Sequence, residues 1–259
     1  MSDKKACGKI FAIVNQKGGV GKSTTAVNLG ASLALAGRKV LVVDLDPQGN
    51  TTSGLGLDKR AREQCVYKVL IGDLPMADVV ERTAIEHLFA APATIELAGA
   101  EIELVAALSR ESKLKQALAP IHSEYDYVII DCPPSLGLLT VNALTAADEI
   151  IIPIQCEYYA LEGLSKLLDS VRLVKTHLNP DLEIAGVLMT MHDGRTKLSR
   201  QVIDEVRRFF GSKTYATIIP RSVRLSEAPS FGQPISVYDS RSKGARAYEE
   251  LAKEVITRD

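Results

Sequence analysis

The sequence predicts an α/β fold, a mainly parallel twisted sheet with helices on both faces. Two observations carry that expectation. Short β-branched apolar runs alternate with longer segments of helical periodicity along the chain, the pattern of strands joined by crossover helices. Clusters of glycine and aspartate follow several of the apolar runs directly, at the strand ends where open α/β sheets bind ligands. With 259 residues, 46% hydrophobic and 24% charged, the chain is long enough to bury one substantial core. It shows no internal repeat and no Pro/Ser-rich linker, so residues 1–259 are expected to form a single domain behind a flexible N-terminus at 1–8.

Taken in order, the expected strands are Ile10–Val14, Lys39–Val43, Tyr127–Ile130, Glu149–Ile154, Ile184–Thr190 and Ala216–Ile219. Each is a short run dominated by Val and Ile. The expected helices are Thr25–Ala36, closed by Gly37, then Gly99–Leu118, Leu136–Ala146, Tyr159–His177, Leu198–Phe210 and Ser242–Ile256. Residues 58–96 and 95–103 are less regular and predict short helices and connections.

Several classes are disfavoured by composition. No apolar run approaches the roughly 18 residues that a spanning helix needs. Met1–Lys9 is polar and lysine-bearing with no apolar stretch behind it, unlike a signal peptide. Cys7, Cys65, Cys132 and Cys156 are scattered, without a Cys-x-x-Cys pair, which suits a reduced cytosol better than a disulfide framework or a zinc site. The expectation is a soluble cytoplasmic protein.

Between the first strand and the first helix stands Asn15-Gln16-Lys17-Gly18-Gly19-Val20-Gly21-Lys22-Ser23-Thr24. Strand, glycine-rich loop and helix make the context of a phosphate-binding loop. Its glycines let the backbone curl so that N–H groups face an anion at the positive end of the helix. Lys22 is placed to reach the β- and γ-phosphates, and the Ser23 hydroxyl to ligate Mg²⁺. The loop departs from Gly-x-x-x-x-Gly-Lys-Ser in having Gln16 at the first glycine, and a second lysine, Lys17, stands just inside it. That lysine can present its ammonium to phosphates of its own subunit or of a partner.

Two carboxylate clusters follow later strands. Asp44-Leu45-Asp46-Pro47-Gln48-Gly49-Asn50 places two aspartates at i and i+2, so that both leave the strand end on one side. One can hold water on a metal while the other orients an attacking water. The apolar strand at Tyr127–Ile130 ends in Asp131, a suitable partner for magnesium behind a phosphate loop and also a residue that caps helices. Pro133-Pro134 stiffens the loop that leaves it.

A third cluster, Ile218-Ile219-Pro220-Arg221-Ser222-Val223-Arg224-Leu225-Ser226-Glu227-Ala228-Pro229, follows a late strand, where phosphate-loop folds place the base-binding loop. It fits an ordinary proline turn as well. The chain as a whole has net charge −1. Between Arg195 and Arg224, however, Arg195, Lys197, Arg200, Arg207, Arg208, Lys213, Arg221 and Arg224 face only Asp204 and Glu205, leaving +6. Such clustering marks either phosphate binding or a solvated helix face.

Taken together, Lys17-Gly-Gly-Val-Gly-Lys22-Ser, Asp44-x-Asp46-Pro-Gln-Gly-Asn, Asp131-x-Pro-Pro-Ser and Pro220-Arg-x-Val-Arg-x-Ser-Glu-Ala-Pro resemble the ParA family of partitioning ATPases. Glu157-Tyr-Tyr-Ala-Leu-Glu-Gly163 and the Pro220–Pro229 run narrow the resemblance to its Soj-like branch, over about Gly8 to Ile256. Ser23 stands where the family commonly has Thr, and either hydroxyl serves magnesium.

The resemblance implies the phosphate-loop NTPase fold, ATP or ADP with Mg²⁺ as cofactors, and a dimer closed around two ATP molecules. Lys17 would cross to the partner's phosphates. Asp46 would orient the hydrolytic water, and Asp44 and Asp131 would stand on the metal side. The adenine would lie near Met191, Pro220 and Arg221, and Arg195 and Arg224 match DNA-contacting positions. The implied partners are a ParB-family centromere-binding protein, double-stranded DNA bound without sequence preference, and the replication initiator DnaA, with the protein on the nucleoid.

Three rival readings differ in testable ways. A MinD-like membrane ATPase would end in a basic amphipathic helix. Here the stripe Ala245, Tyr248, Leu251, Ala252, Val255 and Ile256 is accompanied by Arg246, Lys253 and Arg258 against Glu249, Glu250, Glu254 and Asp259, a balance that anionic lipid repels. A nitrogenase-type electron carrier needs cysteines that bridge a cluster between subunits, for which only Cys132 is placed. A nucleotide-switched regulator without hydrolysis would not need the full Asp44, Asp46 and Asp131 set.

Overall fold

The computed structural model describes residues 8–60, 62–157 and 164–259. Eight strands form one sheet in the order β3-β4-β2-β5-β1-β6-β7-β8. They are β1 Lys9–Ile13, β2 Val40–Asp44, β3 Glu81–Arg82, β4 Leu88–Ala91, β5 Tyr127–Asp131, β6 Glu149–Gln155, β7 Glu183–His192 and β8 Thr214–Pro220. All neighbours are parallel except β3, a two-residue edge strand antiparallel to β4.

The helices are α1 Lys22–Leu35, α2 Asn50–Gly54, α3 Val66–Ile71, α4 Met76–Val79, α5 Leu97–Glu103, α6 Lys113–Leu118, α7 Leu138–Ala146, α8 Leu164–His177, α9 Lys197–Phe210, α10 Val223–Glu227, α11 Ile235–Tyr238 and α12 Lys243–Arg258. Alternation along the strands divides the core into two layers. Ile10, Ala12, Leu41, Val43, Val128 and Ile130 join the layer that includes residues of α3, α5, α7 and α8. Phe11, Ile13, Val40, Val42, Ile129 and Ile151 join the one that includes α1 and α12. Helix α1 lies so close to the sheet that a Cβ on Gly30 would stand 2.7 Å from Val42 Cγ2.

The sheet, its parallel order and the two helical layers agree with expectation. Three local readings are corrected. Residues 58–96 hold two further strands, β3 and β4. The single helix expected over Gly99–Leu118 is two, because the chain turns between them and Ser109 takes a positive φ of 52°. The first helix begins at Lys22, inside the glycine loop, and not at Thr25. The start of the helix expected at Tyr159–His177, most of the Glu157–Gly163 run, Cys7 and residues 1–7 of the N-terminus lie outside the described residues.

The C-terminal helix spends its apolar stripe internally. Ala245, Tyr248, Leu251, Ala252 and Val255 are buried, and the Tyr248 hydroxyl lies 3.2 Å from Thr25 Oγ1 on α1. No described helix is long and apolar enough to cross a membrane.

Candidate nucleotide site

β1 ends at the centre of the sheet, between β5 and β6, and the glycine loop leaves it there. Asn15 anchors the loop from both sides, donating Nδ2 to the Pro153 carbonyl at 2.7 Å and accepting the Lys17 amide at 3.0 Å. Thr190 Oγ1 donates to the Val20 carbonyl at 2.8 Å. Gly19 and Gly21 hold φ of 73° and 94°, conformations that a side chain would strain. Gly21 stands at the N-cap of α1 with no side-chain cap of its own, so the first N–H groups of the helix face outward and favour an anion.

The two lysines of the loop have opposite surroundings. Lys22 is buried, 6% exposed, and its Nζ donates to the Lys17 carbonyl at 3.3 Å. Burial lowers its pKa, while Asp131, Cys132 and Asp46 oppose that shift. Lys17 is exposed, and its ammonium has no ion pair among the described residues.

Three aspartates meet below the loop. Asp44 and Asp131 are register partners at the ends of β2 and β5. Asp44 is fully engaged: Oδ2 accepts the Thr52 amide at 2.7 Å and the Thr52 hydroxyl at 2.6 Å, and Oδ1 accepts the Asp46 amide at 3.2 Å. Asp131 Oδ2 accepts the Thr51 hydroxyl at 2.7 Å. Ser23 lies close enough to favour the ionised carboxylate, yet Asp131 Oδ1 is buried and completes no hydrogen bond. Burial, with repulsion between neighbouring aspartates, raises the pKa of Asp131 and of Asp44. Asp46 takes the Gln48 amide on Oδ1 at 2.9 Å and faces the cavity.

That cavity has a volume of about 710 Å³. Gly18, Gly19, Gly21, Lys22, Ser23, Thr24 and Asp46 line it, together with Met191, Pro220 and Arg221. The glycine loop, one of the aspartates and the three residues expected at a base are therefore brought together. Val20 is buried with its carbonyl fixed to Thr190. Asp44 and Asp131 lie beneath the wall and do not line it. Met191 holds a positive φ of 53° at the end of β7, backbone strain of a kind that concentrates at binding sites.

Several lining residues carry no motif and escape a sequence reading: Asn28, Thr190, Gln233 and Tyr248. Asn28 donates to the Thr24 carbonyl at 2.7 Å and accepts the Ile235 amide at 2.7 Å, tying α11 to the loop's helix.

The donor set suits a magnesium nucleotide. Asp131 offers an unpartnered buried oxygen beside Ser23, and among the described residues no group of three or more His, Cys, Asp or Glu could hold a metal. Serine, water and phosphate would supply the remaining ligands.

The two arginines expected at DNA are exposed and both are paired. Arg195 makes a two-pronged contact with Asp193, 2.7 and 2.9 Å, which holds the Asp193 carboxyl well below the usual range. Arg224 meets Glu227 at 3.1 Å and Asp239 at 3.6 Å. Arg221 Nη2 bonds Glu157 at 3.0 Å and lies within electrostatic reach of Asp193, so the loops after β7 and β8 share one surface.

A family model described as an AAA domain matches residues 8–184. The chain is 64% identical to the sporulation initiation inhibitor protein Soj of Bacillus subtilis, over 96% of this chain and 98% of that one. It is 55% identical to the chromosome-partitioning ATPase Soj of Treponema pallidum, over 97% and 98%. Among solved structures, cobyrinic acid a,c-diamide synthase from Mycobacterium smegmatis with bound ATP analogue and magnesium superposes with a TM-score of 0.84 at 43% identity, covering 95% of this chain and 93% of that one.

Proposed function

The chain belongs to the ParA/Soj family, and from that premise we propose that it is a magnesium-dependent partitioning ATPase that dimerises on ATP. The contrast between the loop's two lysines carries this reading. Lys22 is buried against its own carboxylates, whereas Lys17 is exposed on the same loop with its ammonium unpaired. Only the second is disposed to reach a neighbouring subunit.

Within the chain, the outward N–H groups of the loop and Lys22 bind the phosphates, and Met191, Pro220 and Arg221 receive the base. Ser23 and Asp131 hold magnesium, which when bound offsets charge on the phosphates. Asp46 keeps one carboxylate oxygen on the Gln48 amide and turns the other to the attacking water. Water then adds to the γ-phosphorus, the bond to the β–γ bridging oxygen breaks, and ADP and phosphate leave. Lys17 from the partner neutralises the charge of that transfer, the arginine-finger logic performed by a lysine.

The closed dimer binds DNA through Arg195 and Arg224 without reading bases. A ParB-family protein stimulates turnover, and DnaA is a further partner. The burial of the α12 stripe favours this reading over membrane docking by that helix.

Nucleotide binding, turnover and DNA co-sedimentation of two variants test it. Lys22→Ala should lose ATP binding. Lys17→Ala should keep monomeric ATP binding and lose both turnover and ATP-dependent DNA co-sedimentation. A Lys17→Ala protein that hydrolyses ATP at the normal rate contradicts the proposal.

A further inference from the structure

Asp46 opens a tight turn that is tied from outside by a residue carrying no motif. The Gly49 amide donates to the Asp46 carbonyl at 2.9 Å, with Pro47 second and Gly49 fourth, places these residues favour in turns. Inside the turn the Gln48 amide reaches back to Asp46 Oδ1 at 2.9 Å, so the carboxylate is oriented by its own backbone. Gly49 holds a φ of 62°, a conformation that glycine enters and leaves at little cost. A turn closed by such a residue keeps its shape only where another group holds it.

Lys59, in the loop after α2, supplies that hold. Its Nζ donates to the Gln48 carbonyl. The Gln48–Gly49 peptide is thus bound at both ends, its N–H by the Asp46 carbonyl and its C=O by the Lys59 ammonium. A charged donor on a carbonyl is among the stronger hydrogen bonds open to a loop. The stem of the same side chain covers Gly49, where a Cβ would stand 2.8 Å from Lys59 Cδ and 3.5 Å from Lys59 Cβ. Glu63 and Glu96 line an outer cavity with Lys59, yet its ammonium goes to the backbone. On the inner side Lys59 lines the nucleotide cavity beside Gln48 and Asp46.

We propose that Lys59 is a positioning residue for hydrolysis: it clamps the Gln48–Gly49 peptide and so keeps the free oxygen of Asp46 aimed at the attacking water. The inference rests on the ATPase reading and adds to it a residue outside the phosphate loop and the aspartate set. Acting through Asp46, Lys59 governs kcat and leaves nucleotide affinity alone.

Two variants separate its parts. Lys59→Met keeps the stem over Gly49 and removes the ammonium, and Lys59→Arg restores a charged donor. With ATP and magnesium, Lys59→Met should lower kcat about tenfold or more, the scale of losing one charged hydrogen bond that fixes a reacting group. Its KM should stay within about twofold of the parent protein's, and Lys59→Arg should recover most of the rate. Sizing in ATP should show Lys59→Met gathering as a dimer, which a merely unstable variant would not do. In single-turnover measurements on an Asp46→Ala background, Lys59→Met should cause no further loss. A raised KM with kcat unchanged would put Lys59 on the phosphates and overturn the proposal. So would an unchanged rate in Lys59→Met, a Lys59→Arg protein as slow as Lys59→Met, or an equal loss with and without Asp46. Normal turnover by Asp46→Ala alone is a separate failure, one that removes Asp46 from the ATPase reading and this proposal with it.

Discussion

Asp44 and Asp131 face each other across β2 and β5 at the same register position, both shut off from solvent. Asp44 spends its two oxygens on Thr52 and on the Asp46 amide. Asp131 keeps one oxygen unpartnered. The pair therefore divides its tasks: Asp44 shapes the loop that presents Asp46, and Asp131 retains capacity for a cation.

Ionisation of Asp131 without metal should therefore cost stability as pH rises. Burial, with the neighbouring aspartates, raises Asp131 to about 7, above its ordinary value of 3.8. The folded state then binds more protons than the unfolded chain between those values, so stability declines as pH rises from about 4 to 7. In EDTA, Asp131→Asn should stabilise the protein at pH 8, on the order of 1–3 kcal/mol, with little effect at pH 4. Thermal melts at both pH values check this. Equal effects at the two would place the origin elsewhere than ionisation.

Gly30→Ala should destabilise, against the usual gain of a glycine replacement in a helix. The added Cβ would stand 2.7 Å from Val42 Cγ2 at the contact of α1 with β2. Overpacking of this kind costs typically 1–3 kcal/mol. A denaturant midpoint at or above that of the parent protein would show that α1 shifts freely on the sheet.

DNA affinity should respond to the carboxylates that hold the arginines. With Arg195 and Arg224 each meeting one phosphate, a dimer makes about four contacts and the salt slope is roughly −3.6. Arg195→Ala should reduce that to about −1.8. Asp193→Asn frees Arg195 from its two-pronged contact and should tighten binding about two- to fivefold. Filter-binding salt titrations on two unrelated duplexes measure both effects. An unchanged slope, or an effect confined to one duplex, would remove Arg195 from the DNA surface.

Much of the fold was legible because its central strands are β-branched runs flanked by motif loops. β4, Leu88-Phe89-Ala90-Ala91, has no β-branched residue, and its edge partner β3 has only two residues, so neither rises above its surroundings in a sequence. The break between α5 and α6 depends on Ser109 taking a positive φ, which helical periodicity does not register. In the site, the glycine loop and Asp46 announce themselves by local spacing. Thr190, Gln233 and Tyr248 come from elements distant in the chain, and only the fold brings them to one cavity, while Asn28 sits on the loop's own helix without a motif to mark it. The engagement of Asp44 with Thr52 likewise depends on how the chain turns into α2.

The central claim, an ATP-closed dimer whose water is oriented by Asp46, is tested most directly by sizing the Asp46→Ala protein in ADP and in ATP with magnesium. Losing a water-positioning carboxylate costs on the order of 10²–10⁴ in rate, whereas the loop and Lys22 that bind ATP are untouched. Asp46→Ala should elute as a monomer in ADP and accumulate as a dimer in ATP. Elution as a monomer in ATP, with nucleotide bound, would contradict the assignment of Asp46.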